Sequence, residues 1–262
     1  VWADSATVLF EESKSRRWAP ARDVPWDALD ETTFSPEQVL AIRQLCTGLI
    51  SIGLVSTDVP ARWVWLMNQE FHEIKYWMCA QMFDASRLVE AFRKRALYGQ
   101  GALGRDSREL GELLKIVLES ETYPLASAAL NLTLFSFVQS LGRHFEFLSS
   151  NAADTYLGTR VAQDASRFVA YGVDHIRQLV CARPFEVESI NEHLELVDNG
   201  LVGYLGSREL IEPLIVLSGG VEPVAAFYRK AIEEYFERCA AAGLGARQNR
   251  SPLPGFLKLL ES

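Results

Sequence analysis

The tetrapeptide Asp-Ala-Ser-Arg occurs twice in this chain, at Asp84–Arg87 and at Asp164–Arg167. On a helix, the acid and the base of each copy stand three residues apart and share a face. Each copy can therefore close its own ion pair or present a carboxylate and a guanidinium to a common partner. Upstream, His72, Glu73 and Tyr76 fall within about one helical turn. With Asp84 and Arg87 they form the chain's general acid–base candidates, groups that would need a water-poor cleft to work. His144 beside Glu146, and Asp174 beside His175, are spaced too closely to share a helix face, so with His193 they read as polar-face residues. Trp63, Trp65, Tyr76 and Trp77 read as core or interface, with a ligand pocket as the alternative. Cys46, Cys79, Cys181 and Cys239 form no Cys-x-x-Cys pair and read as buried small apolar residues in a reducing compartment. No dinucleotide fingerprint, phosphate loop or nucleophile elbow is present.

Bulk properties narrow the class. The chain has 262 residues, 48% of them hydrophobic, and no low-complexity linker, which favours one domain with a core that needs no disulfide or metal. A formal charge of −8 and a pI near 5.2 speak against nucleic acid, which selects clustered Lys and Arg. No uninterrupted run of about eighteen apolar residues occurs, so no membrane span is expected. The start, Val-Trp-Ala-Asp-Ser, lacks the features of a signal peptide and has no Met, so the numbering is expected to begin inside the natural sequence. The expected setting is the cytoplasm.

The elements that must position these groups are helical, and strand signals are nearly absent. Residues 1–34 read as an N-terminal arm followed by a Pro- and Trp-punctuated lead-in that is extended. Ser35-Pro36-Glu37-Gln38 is a capping box with proline at the first helical position, and it predicts a helix over 36–55. Asp58-Val59-Pro60 predicts a second start, with a helix running to Leu97. Gly99, Gly101 and Gly104 predict a loop, and a shorter helix follows over 106–120. Pro124 opens a helix to Ser149, and Ser150 or Asp154 caps another that reaches Cys181. The pairs 36–55 with 60–97 and 124–149 with 152–181 form a duplicated two-helix unit, the logic of a four-helix bundle over 35–182. Residues 183–262 are then a C-terminal helical extension packed on the bundle, with helices near 186–203, 207–217 and 221–242. The tetrapeptide falls on the second helix of each unit, followed by Leu88-Val89 in one copy and Phe168-Val169 in the other.

With these flanks, each copy resembles the Asp-Glu-x-Arg-His motif of the ferritin-like di-iron carboxylate superfamily. The stretch from Leu49 through Val59-Pro60-Ala61-Arg62 to Leu97, and that from Gln163 to Arg177, resemble a bacterial branch of ferritin-like domain proteins, and the likeness spans residues 16–182. It implies an all-α, ferritin-like four-helix bundle. In that family each half supplies one Glu from its first helix and a Glu-x-x-His pair from its second. The matching second-helix positions here are Ala85 and Leu88, and Ala165 and Phe168. The first-helix positions fall near Ser51–Gly53 and Asn131–Leu134, where no carboxylate stands. The resemblance therefore implies a chain without a metal or other cofactor. Partial loss would strand buried charge, at a cost of about 3–5 kcal/mol, whereas full apolar replacement can be neutral. Asp84, Arg87, Asp164 and Arg167 remain and are expected to form structural pairs, each Asp with its own or the opposite Arg.

The function implied is that of a metal-free homologue of ferritin-like di-iron oxidoreductases. It would act as a redox-inactive accessory, as a homodimer or a heteromer with a ferritin-like paralogue that keeps its ligands, or would hold a small apolar ligand. The alternative is a metal-independent enzyme of specialised metabolism that uses His72, Glu73, Tyr76, Asp84 and Arg87 in the former substrate channel. Whether the chain is an enzyme stays open at this level.

Overall fold

The computed structural model describes residues 3–260, and no strand occurs among them. The arm and lead-in hold α1 (Ala6–Ser15) and a short α2 (Pro20–Asp23), with two 3-10 turns at Trp26–Ala28 and Glu31–Thr33. The lead-in is therefore turned back on itself rather than extended, because Trp18, Val24 and Leu29 are buried in the core.

α3 (Pro36–Val64) begins where the capping box places it: the Ser35 side chain accepts from the Gln38 N–H, and Gln38 returns the contact to the Ser35 N–H. It does not stop at 55. Pro60 lies inside the helix rather than opening the next one. A proline near the end of a helix gives up one backbone hydrogen bond, and here Val59 and Pro60 are both buried, which offsets that loss. The reversal comes at residues 65–71, and α4 (His72–Ala96) follows.

α5 (Arg108–Leu118) is capped by Ser107. The predicted helix at 124–149 is a rod in three parts: α6 (Tyr123–Ser127), a π-helical segment (Ala128–Leu134) and α7 (Phe135–Leu148). α8 (Ala152–Ala182) is capped by Asn151, whose side chain accepts from the Asp154 N–H; neither Ser150 nor Asp154 takes that role. The C-terminal part comprises α9 (Glu186–Leu205), α10 (Arg208–Ser218), α11 (Val221–Ala241) and an unpredicted α12 (Leu253–Leu260).

α3 packs along α4 and α7 along α8, giving the two helix pairs of a four-helix bundle. α1 lies across α4 and α8, α10 covers α3, and α11 covers α7. One contiguous apolar core runs from Leu9 in α1 to Leu253 in α12. By length and hydropathy, Pro36–Val64 and Tyr123–Leu148 are apolar enough to cross a membrane, a point missed by counting uninterrupted apolar residues. In the fold, 67% and 89% of those apolar windows are buried against protein. Their hydropathy is what the centre of a bundle requires.

Glycine permits a close approach between α8 and the π-helical segment. A Cβ on Gly172 would lie 2.8 Å from the Asn131 Cβ and from the Leu132 backbone nitrogen, neither of which can swing away. Gly111, in α5, has nothing within 4 Å of the same position. Gly172→Ala is therefore expected to lower unfolding free energy by about 1–3 kcal/mol through overpacking. Gly111→Ala is expected to raise it by about 0.5–1 kcal/mol through helix propensity. Urea unfolding of the two variants measures both signs.

Candidate functional site

The inward faces of α4 and α8 meet at the bundle centre. Met78, Gln81, Ala85, Leu88 and Phe92 come from α4, and Val161, Ala165, Phe168 and Gly172 from α8; all are buried. Phe168 stands edge-on to Phe135, with ring centroids 4.5 Å apart, and edge-on to Trp77 at 5.9 Å. Leu88 reaches Gly53 of α3, where a Cβ would lie 2.8 Å from Leu88 Cδ2. Large side chains thus fill the space left beside Ala85, Ala165 and Gly53, as close packing demands.

One polar link crosses this centre. Gln81 Nε2 donates to Asn131 Oδ1 at 2.7 Å, and Asn131 Nδ2 donates to Ser127 Oγ at 3.2 Å. Asn131 sits in the π-helical segment, a distortion that often marks functional positions. The donors here are amides and a hydroxyl, whereas a di-metal carboxylate centre takes carboxylates and imidazoles. Among the described residues, no three His, Cys, Asp or Glu side chains come together in a way that could hold a metal ion. The residues present at the centre do not fit such a centre.

Beside this centre the two tetrapeptides meet. Arg87 Nη2 donates to Asp84 Oδ1 at 2.5 Å and to Asp164 Oδ2 at 3.2 Å. Arg167 Nη2 donates to Asp84 Oδ2 at 2.8 Å and also to Asp164 Oδ1. Two acids and two bases thus close a ring with no net charge, and each Asp accepts from its own Arg and from the opposite one. All four are at most 5% exposed. The N-terminal arm seals the ring: Ser13 Oγ lies within hydrogen-bond reach of both Asp84 oxygens, at 3.0 and 2.9 Å, and Trp18 Nε1 donates to Asp164 Oδ2 at 3.0 Å. Burial and the neighbouring Asp164 charge push the Asp84 carboxyl up to about 6, against the pull of Arg87 and Arg167. Burial opposes the Arg167 charge, but Asp164 and Asp84 outweigh it and hold the guanidinium above its ordinary range.

The other acid–base candidates are not in this cluster. His72, Glu73 and Tyr76 are exposed, and Tyr76 stacks between Phe10 of α1 and His72, at 5.7 and 6.3 Å. His144 and His175 are not the polar-face residues that their spacing suggested. His144 stacks on Phe227 at 4.2 Å and bonds Ser218, and His175 is 1% exposed and stacks on Tyr123 at 5.1 Å. Burial lowers both imidazoles to about 4. Cys46 and Cys239 are buried as expected, but Cys79 and Cys181 are exposed. Of the aromatic set, Trp77 is fully buried and Trp65 is 76% exposed.

Two further buried ion clusters escaped the sequence reading. Arg95 pairs with Asp154 at 2.6 Å and with Glu31 at 2.7 Å, and Glu31 also holds Arg43. Asp198 accepts from Arg247 at 2.6 Å and from Tyr235 at 2.9 Å. The heptad-like step from Leu88 through Phe92 to Arg95 places Arg95 on the buried face, and that was the available signal for the first.

No protein-family profile matches the sequence, and no curated protein matches it. Solved structures do. An R2-like ligand-binding oxidase with aerobically reconstituted Mn/Fe cofactor superposes with a TM-score of 0.74 at 17% identity, covering 91% of this chain and 92% of that one. Two point mutants of an R2-like ligand-binding oxidase, also reconstituted aerobically, give TM-scores of 0.72 and 0.73 at 17% and 18% identity, each covering 90% of this chain and 92% of theirs. The fold is the all-α, ferritin-like bundle of these oxidases.

The ring yields a test with a defined pH sign. Arg167→Met leaves two buried carboxylates with one cation, an expected loss of about 3–5 kcal/mol at pH 8. The Asp84 carboxyl is already raised from 3.8 to about 6 when folded. Its stabilising contribution is therefore full below about 3.8 and is lost as pH rises through about 6. Removing a guanidinium raises that carboxyl further. The gap between wild type and Arg167→Met in urea unfolding should thus be small at acid pH and widen as pH rises through about 6.

Proposed function

We propose that this chain is a metal-free relative of the ferritin-like di-iron oxidoreductases, acting as a redox-inactive accessory or small-ligand-binding protein. The observation that carries this reading is the filled centre. Where the resembling motif has carboxylates and imidazoles stand the buried Ala85, Leu88, Ala165 and Phe168, with Leu88 packed against Gly53 and Phe168 against Trp77 and Phe135. The similar solved proteins are ligand-binding oxidases holding Mn and Fe, and the ligand-binding half of the reading is taken from them. A metal-independent enzyme would need His72, Glu73, Tyr76, Asp84 and Arg87 in one water-poor cleft, and the first three face solvent instead.

A partner belongs to the proposal. Tyr76, Cys79 and Phe83 form an exposed stripe on α4, with Tyr76 at 53% and Phe83 at 55% exposure. Such a stripe supports a homodimer or a heteromer with a ferritin-like paralogue. The exposed free thiols of Cys79 and Cys181 support a reducing compartment such as the cytoplasm.

The test is reconstitution with manganese and iron, without and then with air, followed by desalting and elemental analysis. The expected result is substoichiometric metal and no oxygen uptake. Two metal ions retained per chain, removable only by chelation, would overturn the proposal.

A further inference from the structure

The outer face of α4 carries a repeat that the folded chain leaves uncovered. Tyr76, Cys79, Phe83, Ser86, Glu90 and Arg93 recur in steps of three and four, and all are exposed. A repeat of 3.5 residues is the spacing of a helix that packs lengthwise along another helix. The neighbours of α4 within the chain, α3 and α1 above all, do not bury this line. Phe10 of α1 reaches its edge, stacking on Tyr76 at 5.7 Å, and Tyr76 is still 53% exposed. Phe83, at the middle of the line, is 55% exposed, one turn beyond the free thiol of Cys79.

The two ends of this line carry opposite charge. Glu70, Glu73 and Lys75 stand at its start, two acids and one base, with His72 neutral. Glu90, Arg93 and Lys94 stand at its finish, one acid and two bases. Glu90 and Lys94 approach each other at 3.8 Å. Glu73 and Arg93 are exposed and make no ion pair among the described residues. They lie ten residues to either side of Phe83, about 15 Å along the helix in each direction.

We infer that this face of α4 pairs with the same face of a second copy of the chain, antiparallel, about a two-fold axis beside Phe83. The sense of the pairing follows from the charges. An antiparallel pair brings Glu73 of each copy to Arg93 of the other, and the symmetry makes that contact twice. A parallel pair would set acid on acid and base on base, which is repulsive. At the axis, the small side chains of Cys79 and Ser86 flank Phe83 and leave a hole for the ring of the second copy. One helix from each copy makes a small interface, so the expected Kd is about 1–100 μM. The inference rests on the accessory reading above and narrows its partner to this chain itself. Metal retained on reconstitution would overturn that reading and leave the pairing of α4 to be decided by its own test.

The test is sedimentation equilibrium of the full chain at low salt, across that concentration range. Wild type should pass from monomer to dimer. Glu73→Arg and Arg93→Glu, both at exposed positions, should each weaken the dimer about tenfold. The double variant Glu73→Arg/Arg93→Glu should recover wild-type affinity, and an equimolar mixture of the two single variants should form a heterodimer. Cys79 lies four residues from the axis, so the two thiols stand about 12 Å apart along the helices, beyond disulfide reach. In a Cys181→Ser background, oxidation with copper phenanthroline should therefore leave the dimer unlinked. A wild type that stays monomeric would overturn the inference and leave the accessory reading to a heteromeric partner. A dimer indifferent to both charge reversals, a double variant no tighter than the single ones, or a Cys79 cross-link within the dimer would each overturn it as well.

Discussion

Two carboxylates and two guanidiniums are buried between α4 and α8, and each needs both opposite charges to be there at all. The Asp84–Arg87–Asp164–Arg167 ring is neutral only as a whole. It joins the two helix-pair repeats, and through Ser13 and Trp18 it fixes the N-terminal arm over both. Buried ion networks of this kind add little net stability compared with apolar packing, but breaking one member is expensive. Here the ring pairs equivalent residues of the two repeats, because the same tetrapeptide supplies both sides.

The centre beside the ring follows from the same electrostatics. A bundle with carboxylates at its centre and no cation would carry buried, unneutralised charge. Ala85, Leu88, Ala165 and Phe168 bring no charge there, and the polar link across it runs from Gln81 to Asn131 and on to Ser127, all neutral groups. The packing is complementary rather than loose: Gly53 admits Leu88, and Phe168 fills the space between Trp77 and Phe135. Buried charge is found where it closes on itself, and the buried Arg95–Asp154–Glu31 and Arg247–Asp198 clusters repeat that rule.

Much of this was legible from residue order. The α3 capping box, the loop glycines, the second-helix position of both tetrapeptides and the inward faces of α4 and α8 all follow local rules. Other features depended on the tertiary setting. Pro60 looks like a helix start because its local signal is the same in both settings, and only burial shows that α3 continues through it. The π-helical segment has no local signature; its Asn131 and Leu132 lie against Gly172 of α8. Arg95 stands beside Arg93 and Lys94 in sequence, yet one rotates into the core and the others do not. His144 and His175 owe their environments to Phe227 and Tyr123, partners distant in sequence.

The most direct measurement of the central claim is an anomalous diffraction experiment. Crystals of protein reconstituted with manganese and iron in air would be measured at both absorption edges. The expected maps have no anomalous peak among Ala85, Leu88, Ala165 and Phe168, and density for the Phe168 ring between Trp77 and Phe135. A peak at that position, with Phe168 displaced and Gln81 or Asn131 turned toward it, would contradict the filled centre.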